Sequence, residues 1–526
     1  MVSSRRIATE MAAQQRDISV AEFFAKNRHL LGFDTPQRAL LTAVKEAVDN
    51  SLDACEEARI LPEIRVELSA LESGRFSVAV QDNGPGIVPD QIARIFGKLL
   101  YGSKFHRLAQ SRGQQGMGIS AAGMYAQLTT GVPMRVVTRV AGQAKARELL
   151  VSVDIQRNRP NIHRSRELAW EPLHGTRVEL LLEAEYPRGS HSIALYLKLV
   201  AIVNPHVTLH LREPDGTEQC WPRQRRRRPS VPPRIKPHPA GVELGMLIAL
   251  LKASKQRRLG TFLSEELSQV GPTRAREIIA RAGSGLSPHS HTHRISHDKA
   301  VALHRAFSLT KLPAPRTDCL VPIGEEGLLR GLAREFPGRF STALTRPAAV
   351  YRGNPFVIEV ALSYGPAQSP GSHGQQPIHL LRFANRVPLL YQQAHCAITH
   401  VVSHLHWQRY GLQQPEHGLP LGPVTLLVHL ASVLVPFTSE AKESIASYPE
   451  IARELELALQ QCGRRLAAHL RKEQKLETEL VHRSEIERYL PHVGSALQDL
   501  LSLDDSARER FIAAASELVE HARGLP

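Results

Sequence analysis

Glu46 and Asn50 stand four residues apart in Glu46-Ala-Val-Asp-Asn50-Ser-Leu-Asp53. On a helix that spacing stacks them one turn apart on a single face. A carboxylate so placed can take a proton from an attacking water. The Asn50 carbonyl can ligate a hard cation such as Mg²⁺, which keeps several waters and binds through substrate phosphates. A solvated polar face would carry the same pair. Asp82 opens a second stretch, Asp82-Asn-Gly-Pro-Gly86. When ionised it only accepts hydrogen bonds, which suits an adenine amino group, and the glycines permit a close backbone approach to a ligand. An ordinary turn would use the same residues. The third stretch runs from Tyr101-Gly-Ser103-Lys104 to Gly113-Gln114-Gln115-Gly116-Met117-Gly118-Ile119-Ser120. Its glycines leave N–H groups free to cradle phosphate, and a following helix offers its positive end. Lys104 can add a point charge. A flexible loop between helices would read alike.

The elements that must hold these residues follow from periodicity. Leu40, Val44, Val48, Leu52 and Cys55 recur at three- and four-residue spacing, which predicts a helix over 39–59. Phe76–Val80 alternates as a strand that delivers Asp82 at its end. A helix is expected over 116–128, strands over 134–140, 149–155 and 176–182, and a helix over 190–203. Alternation of this kind fits an α/β two-layer sandwich closing near Trp221.

A helix with Glu and Asn, a strand ending in Asp-x-Gly-x-Gly and a Gly-rich segment entering a helix together resemble the GHKL ATPase superfamily. Further stretches resemble the B subunits of DNA topoisomerase VI: Phe23-Phe-Ala-Lys-Asn-Arg-His-Leu-Leu-Gly-Phe33, Phe96-Gly-Lys-Leu-Leu-Tyr-Gly-Ser-Lys104-Phe-His-Arg, Ser111-Arg-Gly-Gln-Gln-Gly-Met-Gly-Ile-Ser-Ala-Ala and Tyr125-Ala-Gln-Leu-Thr-Thr-Gly131. The resemblance extends from the arm at Ile18 to the region of Tyr489. Within it, Thr261-Phe-Leu-Ser-Glu-Glu-Leu-Ser-Gln-Val-Gly-Pro resembles the helix–two-turn–helix insert of those proteins. Arg352-Gly-Asn-Pro-Phe and Leu381-Arg-Phe-Ala-Asn-Arg-Val-Pro-Leu-Leu-Tyr391 resemble their transducer.

The resemblance implies an α/β (α+β) chain. A disordered N-terminus at 1–17 precedes a GHKL-type ATPase domain with its arm at 18–221. A basic Pro-rich linker at 222–239 leads to the helical insert at 240–307. The transducer occupies 308–448, and a long helix with a tail occupies 449–526. It implies ATP and Mg²⁺ as cofactors, with Asn50 meeting the metal beside the phosphates. Asp82, Ser103, Lys104 and the run Gly113, Gln114, Gln115, Gly116, Met117, Gly118, Ile119 and Ser120 would complete the nucleotide pocket. Glu46 would be the general base. Lys442, in Val435-Pro-Phe-Thr-Ser-Glu-Ala-Lys442, would reach the γ-phosphate from the transducer. Read alone, Ser439 looks like a helix cap with Lys442 in the first turn, where a lysine suits the helix dipole poorly.

The partners so implied are a separate A subunit in an A2B2 heterotetramer, a second copy joined on ATP binding, and double-stranded DNA. The activity implied is ATP-driven passage of one duplex through a break that the A subunit makes, which relaxes and decatenates DNA. No Asp-x-Asp pair for a cleavage metal occurs in the chain. An ATP-gated DNA clamp or recombination partner without strand passage is the alternative. A sensor histidine kinase would share the pocket but has a different first motif and no lysine-bearing transducer.

Composition is compatible with this. The 526 residues suffice for about three domains, and a net charge of +15 favours an anionic partner. Five scattered cysteines without a C-x-x-C argue for a reducing cytosol and against a zinc ribbon. The polar start and the short apolar run at 424–437 predict a cytoplasmic protein without a membrane span. Residues 222–239 hold six prolines and seven basic residues without an acid. They should be extended and solvated, either as a phosphate-binding strip or as a charged linker. His289, His291, His293 and His297 could bind metal only as a compositional signal. A loop is expected over 366–376, and a second α/β region with strands over 356–362, 378–383 and 424–434.

Overall fold

The computed structural model describes residues 17–104, 108–113, 116–366, 376–502 and 504–521. Two compact units form, one of residues up to 405 with 415–462, the other of residues 406–414 with the chain from 463 onward.

The first unit begins with the short helix α1 (Val20–Lys26), capped by the Ser19 hydroxyl, and then α2 (Pro36–Glu57). Thr35 accepts from the Arg38 N–H and Pro36 takes the first helical position, so the start of α2 is written in its first residues. Then come β1 (Glu63–Leu71), β2 (Arg75–Asp82), α3 (Pro89–Gly97) and α4 (Gly118–Thr130). Strands β3 (Met134–Arg139), β4 (Ala146–Asp154), β5 (Arg159–Leu168) and β6 (Gly175–Glu183) precede α5 (Ile193–Val203), β7 (Thr208–Arg212) and β8 (Glu218–Trp221). These strands form one sheet in the order β5-β4-β3-β6-β2-β1-β7-β8. Within it β1 and β7 pair in parallel, and the other neighbours pair antiparallel.

Leu40, Val44, Val48 and Leu52 of α2 are fully buried in one apolar core with Val78 and Val80 of β2 and Leu197 of α5. Burying one face of α2 this way turns the Glu46–Asn50 face away from the core. Strand β2 lies between β6 and β1, so both of its edges are occupied and Asp82 leaves it at a fixed position.

The insert packs helices α6 (Leu244–Ala253), α7 (Leu259–Glu266), α8 (Pro272–Ala282) and α9 (His297–Leu309) around Phe262, Leu263, Ile278 and Leu303. The histidine cluster lies in the connection before α9 and at its first residue. Among the described residues no group of three His, Cys, Asp or Glu side chains is placed to hold a metal.

After α10 (Glu325–Glu335), strands β9 (Gly338–Thr345), β10 (Ala349–Tyr351), β11 (Asn354–Pro366), β12 (His379–Ala384), β13 (Val387–Pro388) and β14 (Val424–Ser432) build a second sheet. Its path is β10-β11-β14-β12-β13, with β9 added on β11. Helix α11 (Ala397–His404) precedes β14. Leu199, Ile202 and Val203 on the far side of α5 share a core with Leu328, Leu332, Phe383 and Leu427, so α5 is packed on both faces. The expected loop at 366–376 begins where β11 ends, and most of it lies outside the described residues.

Helix α12 (Pro449–Leu501) starts in the first unit and continues into the second. It runs past Tyr489, where the resemblance ends, and accommodates Pro491 in its interior. In the second unit the fully buried Trp407 meets Tyr410 edge-on at 6.0 Å. Helix α13 (Asp505–His521) is the tail helix expected from the sequence. Among the described residues no helix is long and apolar enough to cross a membrane.

Candidate active site

A cavity of about 470 Å³ opens between α2, the end of β2, the start of α4 and the turn that carries Lys442. That volume is in the range of small-molecule sites. Glu46, Asn50, Asp82, Ser103, Lys104, Gly113, Gly116, Met117, Gly118, Ile119, Ser120 and Lys442 all line it. Gln114 and Gln115 lie outside the described residues, as do Phe105, His106 and Arg107 of the preceding motif.

Asp82 is buried, and its position is over-determined. Oδ1 accepts from the Gly84 N–H at 2.8 Å and from the Thr176 N–H at 3.1 Å, and Oδ2 accepts from the Ser51 hydroxyl at 2.9 Å. Burial raises its pKa, and those donors work against that rise. Gly86 has φ +74°, and a Cβ there would sit 2.1 Å from the Arg139 carbonyl oxygen, so only glycine fits this wall of the cavity.

Helix α4 points its N-terminus into the cavity. Its first internal hydrogen bond is from Ala121 N–H to Met117 O at 2.8 Å, so the N–H groups of Gly118, Ile119 and Ser120 have no partner within the helix. Three such donors at the positive end of a helix form a ready anion site. The Ser120 hydroxyl is engaged elsewhere: it donates to the carbonyls of Ile95 at 2.8 Å and Lys98 at 3.1 Å, which holds the end of α3 against α4. Ser120 therefore offers a ligand its backbone and not its side chain.

Lys104, expected to add a point charge for phosphate, is found paired within the chain. Its Nζ lies 2.6 Å from Asp53 Oδ2. Asp53 Oδ1 is 2.9 Å from Arg112, and Arg112 is also paired with Glu56 at 2.8 Å and bonded to Asn204 at 2.6 Å. Burial would raise the Asp53 pKa, but Lys104 and Arg112 outweigh it and hold the carboxyl below its usual range. Glu56 is held far below the usual range despite burial, by Arg112 and His206. The sequence does not disclose this buried network, because Asp53, Glu56 and Arg112 each look like surface charges until the fold joins them.

Lys442 is placed against expectation as well. No helix begins at Ser439. The segment is a closed loop in which the Thr438 N–H donates to Ser444 O at 3.0 Å and Phe437 bridges Ile445, and the next helix is α12. This cross-strand pairing takes the backbone that a helix would need. Lys442 has φ +55° and is 5% exposed, so it is not a solvent lysine. Two contacts tie its loop to α2: Lys45 Nζ donates to Ala441 O at 3.0 Å, and Arg38 pairs with Glu443.

Asp49 carries no sequence signal of its own. It faces the buried side of α2, where its Oδ1 is 3.5 Å from the Tyr196 hydroxyl and its Oδ2 has no hydrogen-bond partner among the described residues. Burial pushes its pKa up to about 6, against the pull of Lys442.

Residues 35–186 match the family described as histidine kinase-, DNA gyrase B-, and HSP90-like ATPase, and residues 315–481 match the topoisomerase VI B subunit transducer. The chain is 47% identical over 499 residues to the B subunit of type 2 DNA topoisomerase 6 from Methanococcoides burtonii, covering 95% of this chain and 79% of that one. The protein of the same description from Archaeoglobus fulgidus is 42% identical over 504 residues, covering 96% and 82%. That of Pyrococcus abyssi is 36% identical over 570 residues, covering 99% and 98%.

Proposed function

This chain belongs to the family of type 2 DNA topoisomerase 6 B subunits, and on that premise we propose how its residues run an ATP-driven gate. The observation that carries the reading is the convergence of Glu46, Asn50, the three open N–H groups of α4 and Lys442 on one cavity. The fold is that of a GHKL-type ATPase joined to a transducer.

In this reading Asp82, fixed by three donors, presents an acceptor to the adenine amino group. Gly113, Gly116, Met117, Gly118, Ile119 and Ser120 surround the phosphates, and the α4 N-terminus faces their negative charge. Ser103 and Lys104 edge the same side, Lys104 by way of its pair with Asp53. Gln114 and Gln115 are proposed to join them. Asn50 offers its carbonyl to Mg²⁺. Such an ion would be held mainly by phosphate oxygens. When bound, ATP supplies the cleavable phosphoanhydride and Mg²⁺ neutralises its charge.

Glu46 orients the attacking water and takes its proton. Lys442 reaches the γ-phosphate and stabilises the charge that develops there. Because Lys442 sits on the loop after β14, its engagement would report the nucleotide state to the second sheet.

The proposal extends to the assembly. Two copies close on ATP around duplex DNA, and a separate A subunit, in an A2B2 arrangement, makes the break through which a duplex passes. The proposed domain limits are 18–221, 222–239, 240–307, 308–448 and 449–526, and the proposed compartment is the cytoplasm.

Plasmid relaxation and decatenation by the chain mixed with its A subunit, with and without ATP, test the reading. Strand passage that needs ATP and is lost in Glu46→Ala is the expected result. ATP-dependent DNA retention without strand passage would instead mean a clamp.

A further inference from the structure

Between Pro222 and Pro239 the chain carries seven basic residues and no acid, and nothing in the gate described above uses them. A tether needs only length and solubility, which mixed charges supply. It does not need the four consecutive guanidinium groups of Arg225–Arg228.

The stretch is also not a loose tether. The N–H groups of Gln224 and Arg225 both donate to Pro205 O, at 2.8 and 2.9 Å, and the Ile235 N–H donates to Leu108 O at 2.9 Å. Pro237 O accepts from Ser268 N–H at 2.9 Å, and Pro239 is buried. Between these anchors three prolines limit the backbone further. Arg226, Arg227 and Arg228 are exposed, and none makes an ion pair among the described residues. Arg223, at the start of the stretch, behaves differently: its guanidinium donates to the Thr208 hydroxyl at 2.9 Å and lies 3.7 Å from Glu63. The chain thus holds a row of like charges in place on an anchored backbone and leaves them uncompensated.

We propose that Arg226–Arg228 form a phosphate-binding rail for duplex DNA. The inference rests on the reading of the chain as part of a DNA topoisomerase and adds the surface that touches the duplex. Guanidinium forks match phosphate oxygens in pairs, and a duplex presents about one negative charge per 1.7 Å of its axis. Beyond the rail, the Ile235–Leu108 bond joins the same stretch to the segment leading into Gly113 and the nucleotide cavity. A duplex on the rail therefore bears on the chain that covers the phosphates.

The test uses the full chain with a non-hydrolysable ATP analogue, a short fluorescent linear duplex and a salt series. In the variant R226Q/R227Q/R228Q, the slope of log affinity against log salt should shrink by about 2–3, since each phosphate contact contributes about 0.9. Affinity at low salt should fall tenfold or more. R226K/R227K/R228K should keep most of the slope. DNA-free ATP hydrolysis should be unchanged in both variants, which establishes that they fold. An unaltered slope in the glutamine variant, with normal duplex binding by the parent, overturns the rail and leaves the topoisomerase reading standing. Absence of duplex binding by the parent in every nucleotide state overturns both. Polyglutamate competing as well as duplex at equal charge would assign the rail to an acidic protein surface and overturn DNA as its partner.

Discussion

A side-chain carbon at Gly118 would stand 1.8 Å from Oε2 of Glu46, so the first residue of α4 and the proposed base are in contact across the cavity. The backbone at Gly118 is not in the left-handed region, so alanine there meets the Glu46 side chain and no backbone strain. Gly118→Ala should leave the thermal midpoint within a few degrees yet displace the carboxylate or the helix. A displacement of about 1 Å costs roughly 10²-fold in rate. Steady-state phosphate release checks this, and wild-type turnover in the variant would separate α4 from the chemistry.

Glu46→Ala should bind nucleotide with ordinary affinity and hydrolyse it ~10²–10⁴-fold more slowly. Nucleotide titration beside single-turnover hydrolysis distinguishes a lost base from a lost site.

Lys442→Ala should slow hydrolysis by about 10²–10³-fold, the usual effect of removing one donor from a developing charge. Nucleotide affinity should change far less, because most of the cavity wall is intact. Equal losses in affinity and turnover would make Lys442 a binding residue only.

Arg112→Met removes the cation shared by Asp53 and Glu56 in a buried network, leaving Asp53 with Lys104 and Glu56 with His206. Breaking a buried pair in this way costs about 3–5 kcal/mol. Chemical denaturation of the first unit should report that loss, and a change under about 1 kcal/mol would show that the carboxylates find other partners.

Asp49 predicts a pH dependence of stability. Its folded pKa, about 6, lies above the ordinary 3.8, so the folded state binds the extra proton between those values. Stability should therefore fall as pH rises from about 4 to about 6 and then level off, by up to about 3 kcal/mol from this group. Asp49→Asn should remove that slope and gain stability above pH 6. Unfolding curves at pH 4.5, 6 and 7.5 check the sign.

Much of the site was readable because its residues are local. Glu46 and Asn50 share one helix face, Asp82 ends one strand, and Gly113–Ser120 is a single run, so each part announces itself within a few residues. The apolar repeat of α2 located the helix to within a few residues of Pro36–Glu57. The parts that escaped depend on distant pairing. β5 carries arginines and an almost wholly exposed face, so it shows no apolar alternation and exists because β4 pairs with it. The partner of Lys104 is not legible until the fold brings Asp53 to 2.6 Å. Ser439 reads as a helix cap until the Phe437–Ile445 bridge claims the backbone. Of the proposed strip, the sequence foretold charge and proline content, whereas its anchoring at Pro205 and Leu108 belongs to the fold.

With Lys442 as the proposed γ-phosphate sensor, its left-handed backbone sets stability and turnover at odds. A side chain other than asparagine or aspartate strains that turn by about 1–2 kcal/mol, and glycine or asparagine would relax it. Selection for thermal resistance alone should therefore favour replacing Lys442, and the hardiest variants from such a screen would be those least able to hydrolyse ATP.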